Sequence, residues 1–287
     1  MSTVPRTDAN EIAVHWKEEE YVQPSAAFVA QANLNDPAVA ERFRIEAFPE
    51  CFREYADLLA WDTPWHTTFD GSHPPFWKWF VGGKLNACYN CVDRHLAKHK
   101  NKAAFIFVPE AETEPPYTLT YQELYVRVNE VAAVLRDFCG LTAGDRVTIH
   151  MPMILELPIT MLACARLGVT HSVVFGGFSG EAAGLRAADS GSRVMIYADA
   201  YYRNGKLIDH KASADIAVRV AAAEGLTIDK VLVWRRHPGQ DLSPTPMVAG
   251  RDYYMEDLLR NVRRAKVAPV SLDAEHPLFL MYTSGST

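Results

Sequence analysis

Three short segments of the 287-residue sequence carry residues whose types and spacing suit binding of a phosphate or of a flat ring. The first is Tyr282-Thr283-Ser284-Gly285-Ser286-Thr287, which follows the apolar run Leu278-Phe279-Leu280-Met281. A strand that runs into glycine and small hydroxyl residues supplies what an anion needs. Glycine lets the backbone approach closely and adopt positive φ. Successive N–H groups then form a concave donor nest, and Ser and Thr hydroxyls add donors without bulk. The spacing is not the common G-x-x-x-x-G-K-[ST] loop. An ordinary Ser/Thr-rich turn has the same composition, so the residues alone leave both readings open.

The second segment is Arg203-Asn204-Gly205-Lys206, in which two cations flank a glycine turn. Such a pair can hold a phosphate through charge-assisted hydrogen bonds; it can equally be a solvated basic loop. The third is Phe175-Gly176-Gly177-Phe178, with Ser179 next in line as a helix N-cap. Two glycines after a strand let a flat ring approach the backbone, or simply make the strand-to-helix turn.

Other chemistries are poorly supported. Ten histidines are scattered without metal-ligand spacing. No G-x-S-x-G elbow and no G-x-G-x-x-G fingerprint occurs. Cys88 and Cys91 form C-x-x-C but lack the second pair a zinc site needs, and they read as packing residues at a helix start. The five cysteines are an odd number in a large chain, which favours a reducing compartment. A net charge of −6 argues against a nucleic-acid surface. No apolar run approaches the ~20 residues of a membrane span. With no leader pattern in residues 1–25, a cytoplasmic protein without a membrane partner is expected.

The elements that position these segments follow from periodicity. Residues 1–35 read as a loose arm. Asp36-Pro37 starts a helix that should continue, bent at Pro49, to about Trp61. Trp61, Trp65, Phe69, Phe76, Trp77, Trp79 and Phe80 should clamp an irregular segment onto a neighbouring surface, with a ligand-stacking platform as the other reading. A helix is expected from about Asn86 to Lys98. From about residue 101 strands alternate with helices. The strands are 105–108, 146–151, 172–175, 193–197, 230–234 and 278–282. The helices begin after the Thr120/Glu123 capping box and near residues 155, 181, 212 and 255. This order predicts an α/β fold with a parallel sheet and flanking helices, behind a mainly helical N-terminal segment. Ligands then belong beyond the carboxyl ends of the strands, after Phe175, Tyr197 and Tyr282.

Tyr282-Thr-Ser-Gly-Ser-Thr287 resembles the phosphate loop of the adenylate-forming superfamily. Pro74-Pro-Phe-Trp-Lys-Trp-Phe80, Leu85-Asn86, Asn90-Cys-Val-Asp-Arg-His95, Val173-Val-Phe-Gly-Gly-Phe-Ser179 and Glu275 to Thr287 narrow the resemblance to AMP-forming acetyl-CoA synthetases. His276 stands where that family more often has Asp, and Asn204 where it has Gly. The resemblance implies that residues 1–100 are the family's N-terminal segment and 101–287 the first part of its AMP-binding domain. It implies a chain that stops inside the phosphate loop, a fragment inactive alone.

The implied reaction uses acetate, ATP with Mg2+, and CoA. Thr283, Ser284, Gly285, Ser286 and Thr287 would hold the ATP phosphates. Arg203, Asn204, Gly205 and Lys206 would hold the 3′-phosphate of CoA, with Phe175, Gly176 and Gly177 against its adenine. No catalytic residue or metal ligand is assigned. The complete enzyme would be a monomer or small homo-oligomer. Propionyl- and acetoacetyl-CoA synthetases, or a non-catalytic CoA- or nucleotide-binding module, are the alternatives.

Overall fold

The computed structural model describes residues 22–33, 35–110 and 114–283. The chain forms two compact units, Met1–Ala56 and Asp57–Thr287. Most of the arm expected at 1–35 lies outside the described residues.

The first unit contains α1 (Ala26–Gln31), α2 (Pro37–Arg42) and α3 (Arg53–Ala56). Asp36 caps α2, its carboxylate accepting from the Ala38 N–H at 2.9 Å, with Pro37 in the first turn. The long bent helix expected from Asp36 to Trp61 is not formed. Two 3-10 turns, Ile45–Ala47 and Glu50–Phe52, break it. Pro49 has no N–H to donate and its ring crowds the preceding turn, so the helix cannot run through it.

The second unit begins with β1 (Thr67–Asp70) and β2 (Lys78–Val81), an antiparallel pair. Its aromatic residues stack on one another: Trp61 with Trp65 at 4.8 Å, Trp65 with Phe80 at 5.3 Å, and Phe69 with Trp79 at 4.8 Å between ring centroids. Phe76 and Trp77 remain exposed.

Next come β3 (Lys84–Leu85), α4 (Ala87–Cys91) and α5 (Leu96–His99), the two helices joined by a 3-10 turn, Asp93–His95. The helix expected from Asn86 to Lys98 is thus interrupted at Val92. Its polar residues have definite work. Asn86 is buried, and its amide donates to the carbonyls of Ala165, Arg166 and Val270. Asp93 holds the buried Arg166 guanidinium through two bonds of 2.8 and 2.9 Å. Cys88 packs in the core, where burial pushes its thiol up to about 12. Cys91 is exposed, so only one member of the C-x-x-C pair is a packing residue.

β4 (Ala103–Phe107) and β5 (Tyr117–Thr120) form a separate antiparallel ribbon. The strand expected at 105–108 is therefore not part of the parallel series, and Ile106 and Val108 are exposed. α6 (Tyr121–Ala133) follows, with both bonds of the Thr120/Glu123 capping box present.

The rest is a doubly wound domain. β6 (Arg146–Met151), α7 (Glu156–Leu167), β7 (Thr170–Phe175), α8 (Gly180–Ser190) and β8 (Val194–Ala198) come first. β9 (Ala200–Arg203), β10 (Lys206–Asp209), α9 (His210–Ala223) and β11 (Lys230–Trp234) follow. β12 (Asp252–Tyr254), α10 (Met255–Leu259), β13 (Leu272–Asp273) and β14 (Phe279–Leu280) complete the described chain. α10 begins at the residue expected and is only five residues long, and β14 covers two of the five residues expected at 278–282.

Six strands make one parallel sheet in the order β12-β11-β8-β6-β7-β14. Period-2 alternation decides its two faces. Val194, Ile196 and Ala198 of β8 join Val147, Ile149 and Met151 of β6 in a core with α6 and α7. Met195 and Tyr197 of β8 face the other way, with Ala183 and Ala187 of α8 and Ala214, Ala217 and Ala221 of α9. The alanines let α8 and α9 pack close to each other and to the sheet. Ile149 is wholly buried, and cutting such a side chain to Ala costs about 2–5 kcal/mol.

β7 lies on one side of β6 and β8 on the other. That reversal opens a crevice at the carboxyl ends of the strands.

Candidate functional site

Four connections leave the carboxyl edge close to this reversal. They are the Pro152 segment after β6, the Gly176-Gly177 turn after β7, the β9–β10 hairpin after β8, and Tyr282-Thr283 after β14.

The turn after β7 is built around its glycines. A β-carbon on Gly176 would sit 2.8 Å from the Met151 carbonyl oxygen and from Pro152 backbone atoms. Backbone cannot yield as a flexible side chain can, so only glycine lets β7 leave the sheet this close to the end of β6. The buried Tyr201 hydroxyl donates to the Gly176 carbonyl at 2.9 Å and fixes the turn from below. The Phe178 N–H closes it onto the Phe175 carbonyl at 2.8 Å. Ser179 then caps α8, accepting from Ala182 at 3.3 Å. Phe175 and Phe178 meet edge to face at 5.8 Å, both partly exposed.

Arg203-Asn204-Gly205-Lys206 is a two-residue hairpin. Arg203 and Lys206 are directly paired across β9 and β10, and Asn204 and Gly205 have φ of 51° and 71°. Positive φ at both central positions is the mark of a type I′ turn, for which Asn-Gly is a favoured pair. The Gly205 N–H donates to a Glu110 carboxylate oxygen at 2.9 Å, so that donor already has an acceptor. Anion-binding capacity at the hairpin therefore rests on the two side chains.

Directly opposed residues project to one face of a ribbon. Arg203 and Lys206 thus hold two exposed positive charges side by side, and neither forms an ion pair among the described residues. Like charges so placed repel, and an anion between them removes the repulsion. The Arg203 guanidinium also lies against Gly177. The structure therefore brings Phe175, Gly176, Gly177 and Arg203 together, with Lys206 across the hairpin from Arg203. A cavity of ≈ 250 Å³ flanks the hairpin, lined by Phe107, Pro152, Met153, Tyr201, Tyr202 and Arg236 among others.

Below the turn is a cluster that sequence reasoning missed. The rings of His150 (β6) and His210 (α9) stand 4.5 Å apart, and each lies about 5 Å from Tyr197. All are buried, and neither the imidazole nitrogens nor the Tyr197 hydroxyl has a hydrogen-bond partner among the described residues. Burial pushes His150 down to about 4. His210 is lowered well below its ordinary value by burial and by His150. Both rings are neutral at pH 7.

Thr283 is exposed and directly follows Tyr282. Ser284, Gly285, Ser286 and Thr287 lie outside the described residues. Among the described residues no group of three or more His, Cys, Asp or Glu side chains could hold a metal ion. No described helix is long and apolar enough to cross a membrane.

A parallel sheet wound on both faces, with a glycine turn and a hairpin meeting at its carboxyl edge, is the architecture of an α/β ligand-binding domain. More specifically, the chain belongs to the AMP-binding enzyme family, whose model matches residues 92–287. Residues 41–91 match the model of the acetyl-coenzyme A synthetase N-terminus. Among similar proteins, the acetyl-coenzyme A synthetase of Wolinella succinogenes is 42% identical over 273 residues, 93% of this chain and 40% of that protein. That of Streptomyces avermitilis is 42% identical over 94% of this chain and 40% of its own. The 3-hydroxypropionyl-coenzyme A synthetase of Sulfurisphaera tokodaii is 44% identical over 80% of this chain and 34% of its own. The chain thus spans about two fifths or less of the length of these relatives.

Proposed function

We propose that this chain carries the CoA-nucleotide site and the start of the ATP phosphate loop of an AMP-forming acetyl-CoA synthetase. Residues 1–100 would be its N-terminal segment and 101–287 the first part of its adenylate-forming domain. In the proposed reaction an acetate oxygen attacks the α-phosphorus of ATP, and pyrophosphate leaves. The CoA thiolate then attacks the carbonyl carbon of acetyl-AMP, and AMP leaves. Mg2+ enters as part of the ATP substrate.

The single observation that carries this reading is the placement of Arg203 against Gly177 with Lys206 as its cross-strand neighbour. A flat base lying on Phe175, Gly176 and Gly177 would put a nearby ribose phosphate within reach of the two hairpin cations. Asn204 shapes that hairpin, and Gly205 lets it turn. Holding CoA at its nucleotide end uses binding energy remote from the sulfur to position the thiol. In the first step negative charge develops on the triphosphate oxygens, so donors fixed in advance are the main source of rate. Thr283, Ser284, Gly285, Ser286 and Thr287 are the donors proposed for that role.

A second acyl specificity has direct support, since one relative at 44% identity is named for 3-hydroxypropionate. The deciding experiment is ATP–pyrophosphate exchange by a full-length enzyme containing this segment, with acetate, propionate, acetoacetate and 3-hydroxypropionate compared. Acetate should support the fastest exchange. A faster rate with another acid would reassign the acyl group, and no exchange with any acid would refute the synthetase reading.

A further inference from the structure

Arg186 stands on α8 between the two turns assigned to the two nucleotides. It is only 8% exposed and forms no ion pair among the described residues. One of its terminal nitrogens donates to the Ala182 carbonyl at 3.1 Å. Its guanidinium carbon lies 5.1 Å from the centre of the Phe178 ring and 5.2 Å from that of Tyr282. Both distances are within the ~6 Å over which a ring face attracts a cation. A buried guanidinium without a carboxylate needs such partners, and here they come from two different connections.

Tyr282 is gripped from the same helix a second time. Its hydroxyl donates to the Asp189 carboxylate, three residues beyond Arg186, and reaches the Arg186 carbonyl at 3.5 Å. On the other side, Phe178 meets Phe175, whose ring borders Gly177, where Arg203 lies. Neighbouring groups therefore run from the hairpin cation past Gly177 through Phe175, Phe178 and Arg186 to Tyr282.

We infer that Arg186 is a positioning residue that couples the two nucleotide sites. A ligand that orders Phe178 orders Tyr282 through the shared guanidinium. The coupling is reciprocal, as linkage requires. This inference rests on the CoA and ATP assignments above, and its test separates the two.

The test is amide hydrogen exchange in the 287-residue chain, with CoA as the probe. In the wild type, CoA should slow exchange at 175–178 and 203–206. It should also slow exchange at Tyr282 and Thr283 by about fivefold or more, the usual lower end of site coupling. Arg186→Leu should keep the first effect and lose the second. Arg186→Lys should keep part of the second, because an ammonium is also drawn to ring faces.

Slowing at 175–178 without slowing at 282–283 in the wild type overturns the coupling alone. So does an Arg186→Leu protein that still slows at 282–283. If Arg186→Leu does not fold, Phe178→Leu makes the same cut at a ring that is 48% exposed, and retained slowing at 282–283 there also overturns it. No slowing anywhere in the wild type overturns the CoA assignment, and the coupling with it.

Discussion

Arg203 lies against Gly177, so close that a β-carbon at 177 would overlap its guanidinium. The contact joins the hairpin after β8 to the turn after β7 across the intervening β6, and it makes one site of two segments 26 residues apart in sequence.

The two glycines of the turn should respond differently to alanine. Gly176→Ala pushes a methyl group into the backbone of Met151 and Pro152, an overpacking that costs about 1–3 kcal/mol. Gly177→Ala meets only the ends of Arg203 and Phe175 at an exposed position, so stability should change by less than ~0.5 kcal/mol. Its effect should appear as weaker CoA binding. Urea melts and calorimetric titration of both variants separate the outcomes; equal stability loss would contradict the geometry.

Asn204 departs from the Gly that the resembling family carries, and the hairpin explains why it is tolerated. At φ 51°, Asn is among the few residues with a side chain that enter the left-handed region readily. Asn204→Gly should be close to neutral, whereas Asn204→Val should cost on the order of 1–2 kcal/mol. Chemical denaturation of the two variants checks the order. If Asn204→Val were as stable as wild type, the turn type assigned here would be wrong.

Arg166 is 2% exposed at its side chain and holds Asp93 by two bonds, while a third joins it to the Val267 carbonyl. Removing one partner leaves a buried charge alone, so Asp93→Ala should cost about 3–5 kcal/mol. Replacing both, as Asp93→Leu with Arg166→Met, should cost less than the single change. A thermal-melt series on the three variants tests the ordering.

His150 and His171 are each pushed down by burial, from 6.5 to about 4. The unfolded chain takes up protons near pH 6.5 while the folded chain does not until about 4. Their contribution is therefore full above pH 6.5 and is lost as the pH falls toward 4. At ~1.4 kcal/mol per pKa unit, each histidine removes about 3 kcal/mol across that window. Asp252, whose carboxyl is lowered from 3.8, acts only below it. Unfolding free energy measured from pH 7.5 to 4.5 should fall, and less steeply in His150→Phe. A profile as steep in His150→Phe as in the wild type would mean that the His150 ring is not held neutral.

Sequence patterning revealed the elements whose signals are local. The apolar run in 193–197, the alternation in Arg146–Met151 and the Thr120/Glu123 box mark β8, β6 and α6 with boundaries close to those observed. The Asn-Gly pair at 204–205 carries the hairpin signal, although its flanking charges alone point only to a glycine turn between cations. Other features depend on distant pairing. Asn86 reads as the start of a helix in sequence, yet three of its bonds reach Ala165, Arg166 and Val270. His276 stands where the resembling family more often has Asp, and its ring contacts the Gly168 carbonyl at 2.8 Å, 108 residues away. Arg186 and Asp189 look like an ordinary helix surface until β14 brings Tyr282 to them.

The 287-residue chain alone should give no acetate-dependent ATP–pyrophosphate exchange, since it spans about two fifths of the length of the acetyl-coenzyme A synthetases it resembles. Measurable exchange by the purified chain would show that the described half-site suffices for adenylation.

The most direct measurement compares the affinity of the 287-residue chain for CoA and for CoA lacking its 3′-phosphate. Two cations on one face of the hairpin, unpaired among the described residues, should favour CoA by about tenfold, equivalent to ~1.4 kcal/mol. Arg203→Ala with Lys206→Ala should bring that ratio to about one. Equal binding of the two ligands by the wild type would contradict the phosphate assignment of Arg203 and Lys206.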